Sequence, residues 1–548
     1  MSSQIVDAPS SVHTGLVVLD GIGLGVADVV RLADGAARPV PGTDAMKRVT
    51  ESWDAARQIA ATGRVYGRST GVGANRNESV PTEAAAEHGL RLLRSHAGAI
   101  GEELPARQVR AMLAVRANQL LAGGAGLRPT VVTALCEALE SGAYPVVNEF
   151  GSVGTGDIAA LAQVALALAG EHPWRNATGT GEGLSGTSGG PGAAGTSGAG
   201  GSGRAGVEGS GGRGGSGSVR GSVGAPGAQL LDNNDALAFI SSNALTLGQA
   251  ALALDELRGL LEATQVVGAL SLLAVDGSHE AYAAPVHAAR PHRGSSEVAR
   301  RMRELIGADE RPTPPLGRIQ DPYGFRCLPQ IHGPAHDAAD ALEEVVAIEI
   351  NAAAENPLIT PEDMAAYHHG GFYQAQLALA LDHFRLALTQ VARLSTSRLS
   401  TLNEPAYTRL RPFLADHEPA SSGVMILEYA AGAALGELRA FSAPASLGHA
   451  VLSRGVEEQA SFASLAARQT LRACGAYRLV VGCELVAAVR ALRQRDLGPD
   501  PDLPVGRALE LAMSVLDEDQ ADRPLTDDVT AATALLDRFT DIWRGSES

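Results

Sequence analysis

Two stretches of this 548-residue chain, 374–402 and 454–495, repeat Ala and Leu at helical spacing and contain few residues that break helices. A helix of about 28 residues is about 42 Å long, because each residue adds about 1.5 Å. Helices of that length pack lengthwise, so the sequence predicts a bundle of long antiparallel helices. Their Ala-rich faces are wider than one stripe, which indicates that neighbouring subunits cover some of them.

The composition supports a mainly all-α fold with a large apolar interior. Hydrophobic residues make up 45% of the chain and aromatic residues only 4%, so Ala, Leu and Val must fill the core. A strand–turn–helix pattern at 15–35 predicts a small N-terminal α+β region. The predicted units are an N-terminal domain (1–174), a Gly/Ser-rich flexible insert (175–228), a central long-helix bundle (229–503) and a C-terminal helical cap (504–548).

The net charge, the apolar stretches and the N-terminal residues argue against a nucleic-acid-binding, a membrane-spanning and a secreted protein. The formal net charge is −17, and no basic run is long enough to bind nucleic acid. The longest uncharged stretch outside the insert, 236–254, contains Ser241, Ser242 and Asn243, so we expect a buried helix and no membrane span. The four cysteines are far apart, and residues 1–14 lack an apolar signal core. We therefore expect reduced thiols and a cytoplasmic protein.

Two glycine-rich loops are candidates for chemistry. Tyr66 begins the segment Y-G-R-S-T-G-V-G, whose glycines allow close approach to a ligand. A phenol with a lowered pKa can accept a proton, and the alternative is a tyrosine packed beside a turn. The segment 151–157 reads G-S-V-G-T-G-D, and its core of Gly154, Thr155 and Gly156 lets an amide nitrogen reach the carbonyl two residues back. The alternative is an anion-binding turn at a helix N-terminus.

Two further segments offer groups that could bind an amino acid. Residues 320–330 contain Arg326, whose guanidinium can hold a carboxylate through two parallel hydrogen bonds. Gln320 and Tyr323 can bond the same ligand, and the alternative is a structural turn with one buried ion pair. Glu457 lies in a predicted long helix, where glutamate pairs are usually solvated. The spacing of histidines and cysteines predicts no metal site.

Taken in order, these segments resemble the histidine, phenylalanine and tyrosine ammonia-lyases over residues 15–495, apart from the insert. The Tyr66 loop resembles the family's Y-G-x-x-T-G-x-G, and 320–330 is similar to its Q-D-x-Y-x-x-R-x-x-P-Q segment. The resemblance implies a helical bundle of the ammonia-lyase and fumarase type. Further similarities are S-H-A-G at 95–98, E-N-P-L at 355–358, S-G-V-M at 422–425, P-A-S at 444–446 and V-E-E-Q-A-S at 456–461.

The resemblance also implies a reaction and residue roles. Members of the family eliminate ammonia from an α-amino acid with a methylidene-imidazolone, an electrophile that forms from an internal Ala-Ser-Gly, so no external cofactor is implied. Family members are tetramers whose active sites draw on three subunits. Tyr66 would remove the β-proton as general base. Arg326 and Gln320 would bind the substrate carboxylate, and Tyr323 would lie close to the electrophile. Two residues would contact the substrate's side chain or amino group: His96 and Glu457.

The chain departs from the family's pattern at three places. The family reads G-S-V-G-A-S-G-D where this chain reads G-S-V-G-T-G-D, so one residue is missing and Thr155 stands near the family's serine. Cyclisation of 154–156 would give an imidazolone-type group with an extra methyl, and the alternative is that the short loop forms no electrophile. The family's asparagine falls on Ser241, with Asn243 two residues on. Tyr373 takes an aromatic position that lines the pocket.

Three functions remain open from the sequence. The first is an ammonia-lyase acting on an aromatic L-amino acid, or a 2,3-aminomutase, with a Thr-derived electrophile. The second is an enzyme of the superfamily that works on a different substrate without that electrophile. The third is a non-catalytic binding or scaffold protein, and the presence of Tyr66, Tyr323 and Arg326 argues against it. We therefore expect a carbon–nitrogen lyase that assembles as a homotetramer and binds a small amino acid.

Overall fold

The computed structural model describes residues 15–177, 224–313 and 318–544. Most of the predicted insert, 178–223, lies outside the described residues. The described chain is mainly helical, which confirms the predicted all-α class. The helices are α1 Val26–Ala33, α2 Thr43–Thr62, α3 Ala85–His96, α4 Ala106–Leu121, α5 Pro129–Ser141, α6 Ile158–Leu168, α7 Asn233–Ile240, α8 Ala244–Ala274, α9 Ala284–Ala288, α10 Arg293–Ile306, α11 Tyr323–Arg326, α12 Leu328–Glu349, α13 Ala375–Leu402, α14 Pro405–Thr408, α15 Ile426–Phe441, α16 Ala463–Gln494, α17 Pro504–Val515 and α18 Thr526–Arg544.

The strands of the described chain form pairs at the edges of the helical body. β1 pairs with β2 in parallel, as expected for a strand–helix–strand unit around α1. The other three pairs are antiparallel: β3 with β5, β4 with β6 and β7 with β8. The strands are β1 Leu16–Leu19, β2 Arg38–Pro41, β3 Ile100–Glu103, β4 Ala143–Pro145, β5 Asn148–Phe150, β6 Trp174–Asn176, β7 Leu358–Thr360 and β8 Ala365–Tyr367.

The core is built around α8, which is buried along nearly its whole length and packs against α4, α12, α16 and α18. The stretch Asn233–Ala274 is long and apolar enough to cross a membrane, but 94% of its apolar window is buried inside the protein. A helix that is apolar all round is expected at the centre of a large helical body. The apolar stretch at 236–254 is thus divided between α7 and α8, two helices of the core.

A buried ion pair ties three long helices together. Arg398 on α13 donates to both carboxylate oxygens of Glu484 on α16, at 2.6 and 2.8 Å, and both side chains are fully buried. Ser271 of α8 and Ser395 of α13 donate to the same carboxylate at 2.7 and 2.5 Å. Because every oxygen of the buried carboxylate is hydrogen-bonded, the charge is tolerated and fixes the register of the helices.

One of the two long helical stretches starts later than predicted. The pattern at 374–402 becomes α13, but α16 begins only at Ala463, so the prediction of a helix from 454 is wrong for its first nine residues. Arg454 and Phe462 adopt φ +57 and +54, which no α-helix allows. Glu457 pairs with Leu452 in an isolated β-bridge instead of lying on a long helix. The reason is tertiary, because hydrogen bonds to the loop at 151–157 hold this segment out of the helix.

Candidate active site

Tyr66 lies in the loop after α2, with its phenol half-buried. Gly67 adopts φ +70, and a β-carbon there would lie 2.0 Å from a methyl carbon of Leu237, so this turn requires glycine. The Tyr66 hydroxyl accepts a hydrogen bond from the Gly73 N–H at 2.8 Å. The His368 ring lies edge-on to the Tyr66 ring, with ring centres 6.2 Å apart. These contacts fix the position of the phenol.

The loop at 151–157 joins β5 to α6 and contains two glycines with positive φ. Gly154 adopts φ +89 and Gly156 adopts φ +118. A β-carbon on Gly154 would lie 2.2 Å from the Ser461 hydroxyl and 2.8 Å from the Phe462 nitrogen, so even alanine does not fit here. The neighbouring segment therefore requires a glycine at position 154, directly before Thr155.

The residue that ends this loop anchors it to the core. The Asp157 carboxylate accepts from the Thr246 N–H at 2.8 Å and from the Thr246 hydroxyl at 2.9 Å. The Asp157 N–H donates to the carbonyl of Ser242 at 2.7 Å. Burial raises the pKa of Asp157, and the two bonds from Thr246 lower it. The end of the loop is thereby attached to the start of α8.

The segment 453–464 contacts both glycine-rich loops. Its Ser453 hydroxyl accepts from the Ala74 N–H at 3.0 Å, beside the Tyr66 loop. The Ser461 hydroxyl donates to the carbonyl of Gly154 at 2.8 Å, and the Phe462 N–H donates to the carbonyl of Val153 at 2.8 Å. The Tyr66 loop and the 151–157 loop are therefore neighbours because one segment binds both.

Glu457 belongs to the same segment and links the two predicted catalytic loops electrostatically. The Thr155 hydroxyl donates to a Glu457 carboxylate oxygen at 3.3 Å. The pKa of Tyr66 is raised above that of a free tyrosine, so the lowered pKa expected of a proton-accepting phenol is not found. Burial raises this pKa most, the Gly73 N–H lowers it, and the negative charge of Glu457 raises it again. Within a single protomer, the Thr155 hydroxyl thus contacts the Glu457 carboxylate, whose charge also acts on the Tyr66 phenol.

Asn243 and Tyr373 lie next to this group of residues. Asn243 is buried in the break between α7 and α8, and its amide donates to the carbonyl of Phe372 at 2.8 Å. Its own carbonyl oxygen is buried without a hydrogen-bond partner in the described chain. Ser241, the position of the family's asparagine, accepts instead from the Asn356 N–H at 3.0 Å. Tyr373 follows Phe372 and is 39% exposed.

His96 lies at the C-terminal end of α3, close to the base of the 151–157 loop. Its Nδ1 lies 2.8 Å from the carbonyl oxygen of Leu92, so the ring is held against its own helix. Three residues later, Ala99 packs on Gly151, where an added β-carbon would lie 2.9 Å from the Ala99 methyl. The structure thus places His96 beside the loop without a direct hydrogen bond to Thr155 or Glu457.

The 320–326 segment lies elsewhere in the protomer. A β-carbon on Gly324 would lie 3.3 Å from the Arg398 side chain, so α11 packs near the C-terminal end of α13. The Tyr66 group lies toward the other end, because His368, whose ring packs on Tyr66, lies a few residues before the start of α13 at Ala375. From residue 375 to residue 398 a helix extends about 35 Å. Tyr66 and the segment of Gln320, Tyr323 and Arg326 thus lie near opposite ends of α13 in one chain, and their meeting, predicted across adjacent protomers, stays a prediction.

Two residues at the site carry no role in the sequence-based prediction. Ser461 was part of a matched segment, but nothing in the sequence shows that it touches the Gly154 carbonyl. His368 belongs to the run H-H-G-G just before Phe372, and two histidines followed by two glycines are a signal that could have found it. The packing of its ring on Tyr66 is a tertiary contact.

The long-helix core and the polar groups around the 151–157 loop are those of a helical lyase by comparison with known families. The profile of the family described as "Aromatic amino acid lyase" matches residues 24–517, and the chain belongs to this family. The resemblance predicted from the sequence motifs is therefore confirmed, as is the predicted class of enzyme, a carbon–nitrogen lyase.

Known relatives and solved structures agree with this family. The histidine ammonia-lyase of Geobacillus thermodenitrificans (strain NG80-2) is 31% identical over 528 residues, which cover 95% of this chain and 97% of that protein. The crystal structure of histidine ammonia-lyase from Trypanosoma cruzi superposes with a TM-score of 0.82 at 24% identity, over 97% of this chain and 95% of that one. Tyrosine aminomutase from Streptomyces globisporus also gives 0.82 at 24% identity, over 97% and 98%. These solved structures share the fold.

Proposed function

We propose that this protein is an ammonia-lyase that eliminates ammonia from an L-amino acid with an imidazole or aromatic side chain. The observation that carries the proposal is the hydrogen bond from the Thr155 hydroxyl to the Glu457 carboxylate, whose charge also acts on the Tyr66 phenol. Histidine is the first substrate to test, because relatives at about 30% identity over nearly the whole chain are histidine ammonia-lyases. The acidic group at the site supports this choice, since a carboxylate binds a protonated imidazole or an ammonium group.

Three residues of this chain have separate roles in the proposed elimination. Tyr66 takes the β-proton as general base, with its hydroxyl fixed by the Gly73 N–H. Because its pKa is raised, the phenolate form that accepts the proton is populated at alkaline pH. Glu457 holds the cationic part of the substrate. Arg326, supplied by a neighbouring protomer, holds the substrate carboxylate through a bidentate pair. These contacts orient the Cβ–H bond toward the phenol oxygen.

Residues 154–156 fit the chemistry of the family's electrophile. Gly156 supplies a backbone nitrogen without a β-carbon beside it, and Thr155 supplies the hydroxyl and α-hydrogen that leave as water. Gly154 supplies the carbonyl, in a space where a β-carbon would meet the Ser461 hydroxyl at 2.2 Å. When formed, an imidazolone-type group supplies the electrophile that makes the amino group a leaving group. The methyl group of Thr155 would remain on it and crowd the site.

The proposal includes assembly as a homotetramer, because the carboxylate clamp and the Tyr66 group lie near opposite ends of a helix stretch of about 35 Å in one chain. In the segment 319–326, which contains the Arg326 clamp, large apolar side chains are unusually exposed: Ile319 is 93% and Tyr323 is 69% exposed. The Arg326 guanidinium lies over the Tyr323 ring, 5.1 Å from its centre. An exposed aromatic side chain and guanidinium of this kind are typical of a surface that another subunit covers.

A Glu457→Gln variant tests the electrostatic link in this site. Removing the carboxylate charge lowers the pKa of Tyr66, so the phenolate base is present at lower pH. We expect the acid limb of the plot of kcat/KM against pH to move to lower pH, whether or not the maximum value of kcat/KM changes. The matched control is Glu458→Gln, since Glu458 is exposed and next in sequence. A limb that stays at its wild-type pH in the Glu457 variant would contradict the assigned pair.

The test of the proposed function combines turnover with the mass of the purified full-length chain. Histidine, phenylalanine and tyrosine are supplied separately, and both released ammonia and the near-ultraviolet absorbance of an arylacrylate product are followed. We expect histidine to give both signals. We also expect the mass to be about 36 Da below that of the sequence, because forming the electrophile removes two water molecules.

The outcomes separate the hypotheses that the sequence leaves open. Turnover of none of the three amino acids overturns the proposed substrate class. A β-amino acid product without released ammonia replaces the lyase by an aminomutase. Release of ammonia from a chain of full mass shows that elimination proceeds without the electrophile.

A further inference from the structure

The Gly154 carbonyl is the one group of the 154–156 loop that receives a side-chain hydrogen bond from a distant part of the described chain. Its donor is the Ser461 hydroxyl at 2.8 Å, and Ser461 is only 4% exposed. The same hydroxyl accepts the Ala463 N–H at 3.3 Å, which directs its hydrogen away from α16 and toward the loop. This bond is therefore fixed from both sides.

We infer that Ser461 is a positioning residue that polarises the Gly154 carbonyl for attack by the Gly156 nitrogen. The inference rests on the proposed function, because it concerns how that enzyme acquires its electrophile. A buried hydroxyl that donates to a carbonyl stabilises the negative charge that develops on the oxygen during attack. Ser461 stays chemically unchanged and contacts no substrate, so its effect falls on maturation of the chain.

The covalent step balances without an oxidant or a further reactant. The Gly156 nitrogen bonds to the Gly154 carbonyl carbon, and the proton of Gly156 passes to the carbonyl oxygen. That oxygen leaves as water with the proton of the Thr155 nitrogen, which closes a five-membered ring with a C=N bond. A second water then forms from the Thr155 hydroxyl and the hydrogen on its α-carbon.

The chain offers a closely matched control. Ser464, three residues after Ser461, is 3% exposed, and its hydroxyl donates to the carbonyl of Ser152 at 2.9 Å. Both serines thus bind the same loop from the same turn with buried hydroxyls. The Gly156 nitrogen attacks the Gly154 carbonyl in the proposed cyclisation, whereas the Ser152 carbonyl does not react. Removing either hydroxyl costs the loop one hydrogen bond, but only Ser461→Ala removes the bond to the reacting carbonyl.

The experiment follows the intact mass of the full-length chain with time after a pulse of expression, for wild type, Ser461→Ala and Ser464→Ala. We expect loss of the two waters to be slower by about 10²–10³-fold in Ser461→Ala, the range found for removing one such donor. Ser464→Ala should mature at the wild-type rate. Circular dichroism and gel filtration should give wild-type helix content and size for both variants.

Each other result overturns the inference in a distinguishable way. Wild-type maturation in Ser461→Ala rules out the role of Ser461 and leaves the proposed function intact. Equal slowing in both variants shows that the turn acts only as a support for the loop. Loss of helix content in Ser461→Ala alone assigns the bond to folding. A wild-type chain of full mass removes the electrophile itself, while the ammonia assay still decides whether elimination occurs.

Discussion

A Tyr66→Phe variant is expected to lose turnover by about 10²–10⁴-fold or more, the usual contribution of a general base. The substitution removes only the hydroxyl that the Gly73 N–H fixes beside the threonine loop. The ring can stay packed edge-on to His368, so the loop should keep its shape. The measurement is kcat with histidine, or with whichever amino acid the wild type converts, together with oligomer size by gel filtration.

Tyr367→Phe is the matched control, because this tyrosine is 49% exposed on β8 and its hydroxyl bonds Asp363, away from the Tyr66 loop. It should keep wild-type turnover. Substantial activity in the Tyr66 variant would assign the proton transfer to another group. The same mass deficit in Tyr66→Phe as in wild type, each measured against its own sequence, would confirm that any loss lies in the reaction and not in maturation.

Mixing two inactive variants is expected to restore activity. Tyr66→Phe lacks the base, and Arg326→Ala lacks the carboxylate clamp, which lies about 35 Å away along α13 in the same chain. If each site takes its base and its clamp from different protomers, a hetero-oligomer contains some sites with both groups intact. Random assembly of equal amounts gives about a quarter of the sites as complete. The measurement is turnover of co-expressed, doubly tagged protein against each parent alone.

The control for this mixing experiment is a pair that must not complement. Tyr66 and Thr155 both surround Glu457 within one protomer, so Tyr66→Phe mixed with Thr155→Ala leaves every site defective. Recovery in this second mixture, or none in the first, would contradict the proposed division of the site between subunits.

The sequence predicts well those features that depend on local pattern. The stretch predicted at 374–402 differs from α13 by a single residue, because Ala and Leu at helical spacing decide a helix locally. The glycines at 154 and 156 were chosen for unusual backbone angles, and both have positive φ. The order of the motifs along the chain was enough to identify the family, and the family match over residues 24–517 confirms it.

The sequence fails where distant contacts override local preference. Residues 454–462 carry a helical pattern, yet bonds from Ser461 and Phe462 to the loop at 151–157 hold them in irregular backbone. Propensity contributes a few tenths of a kcal/mol per residue, and several buried hydrogen bonds outweigh it. Asn243, expected on a helix face, lies in the break before α8 for a similar reason. No local signal could place Arg326 at the far end of α13 from Tyr66.

The two halves of the site lie at opposite ends of α13, and this arrangement has a geometric consequence for assembly. When two copies of such a helix lie side by side and antiparallel, related by a rotation of 180°, the start of each lies beside the end of the other. Complete sites then arise in pairs, with one base and one clamp exchanged in each direction. Removing two turns from α13 would displace the base from the clamp by about 11 Å in both sites of the pair. In the proposed assembly, the length of α13 therefore sets the distance between the base and the clamp.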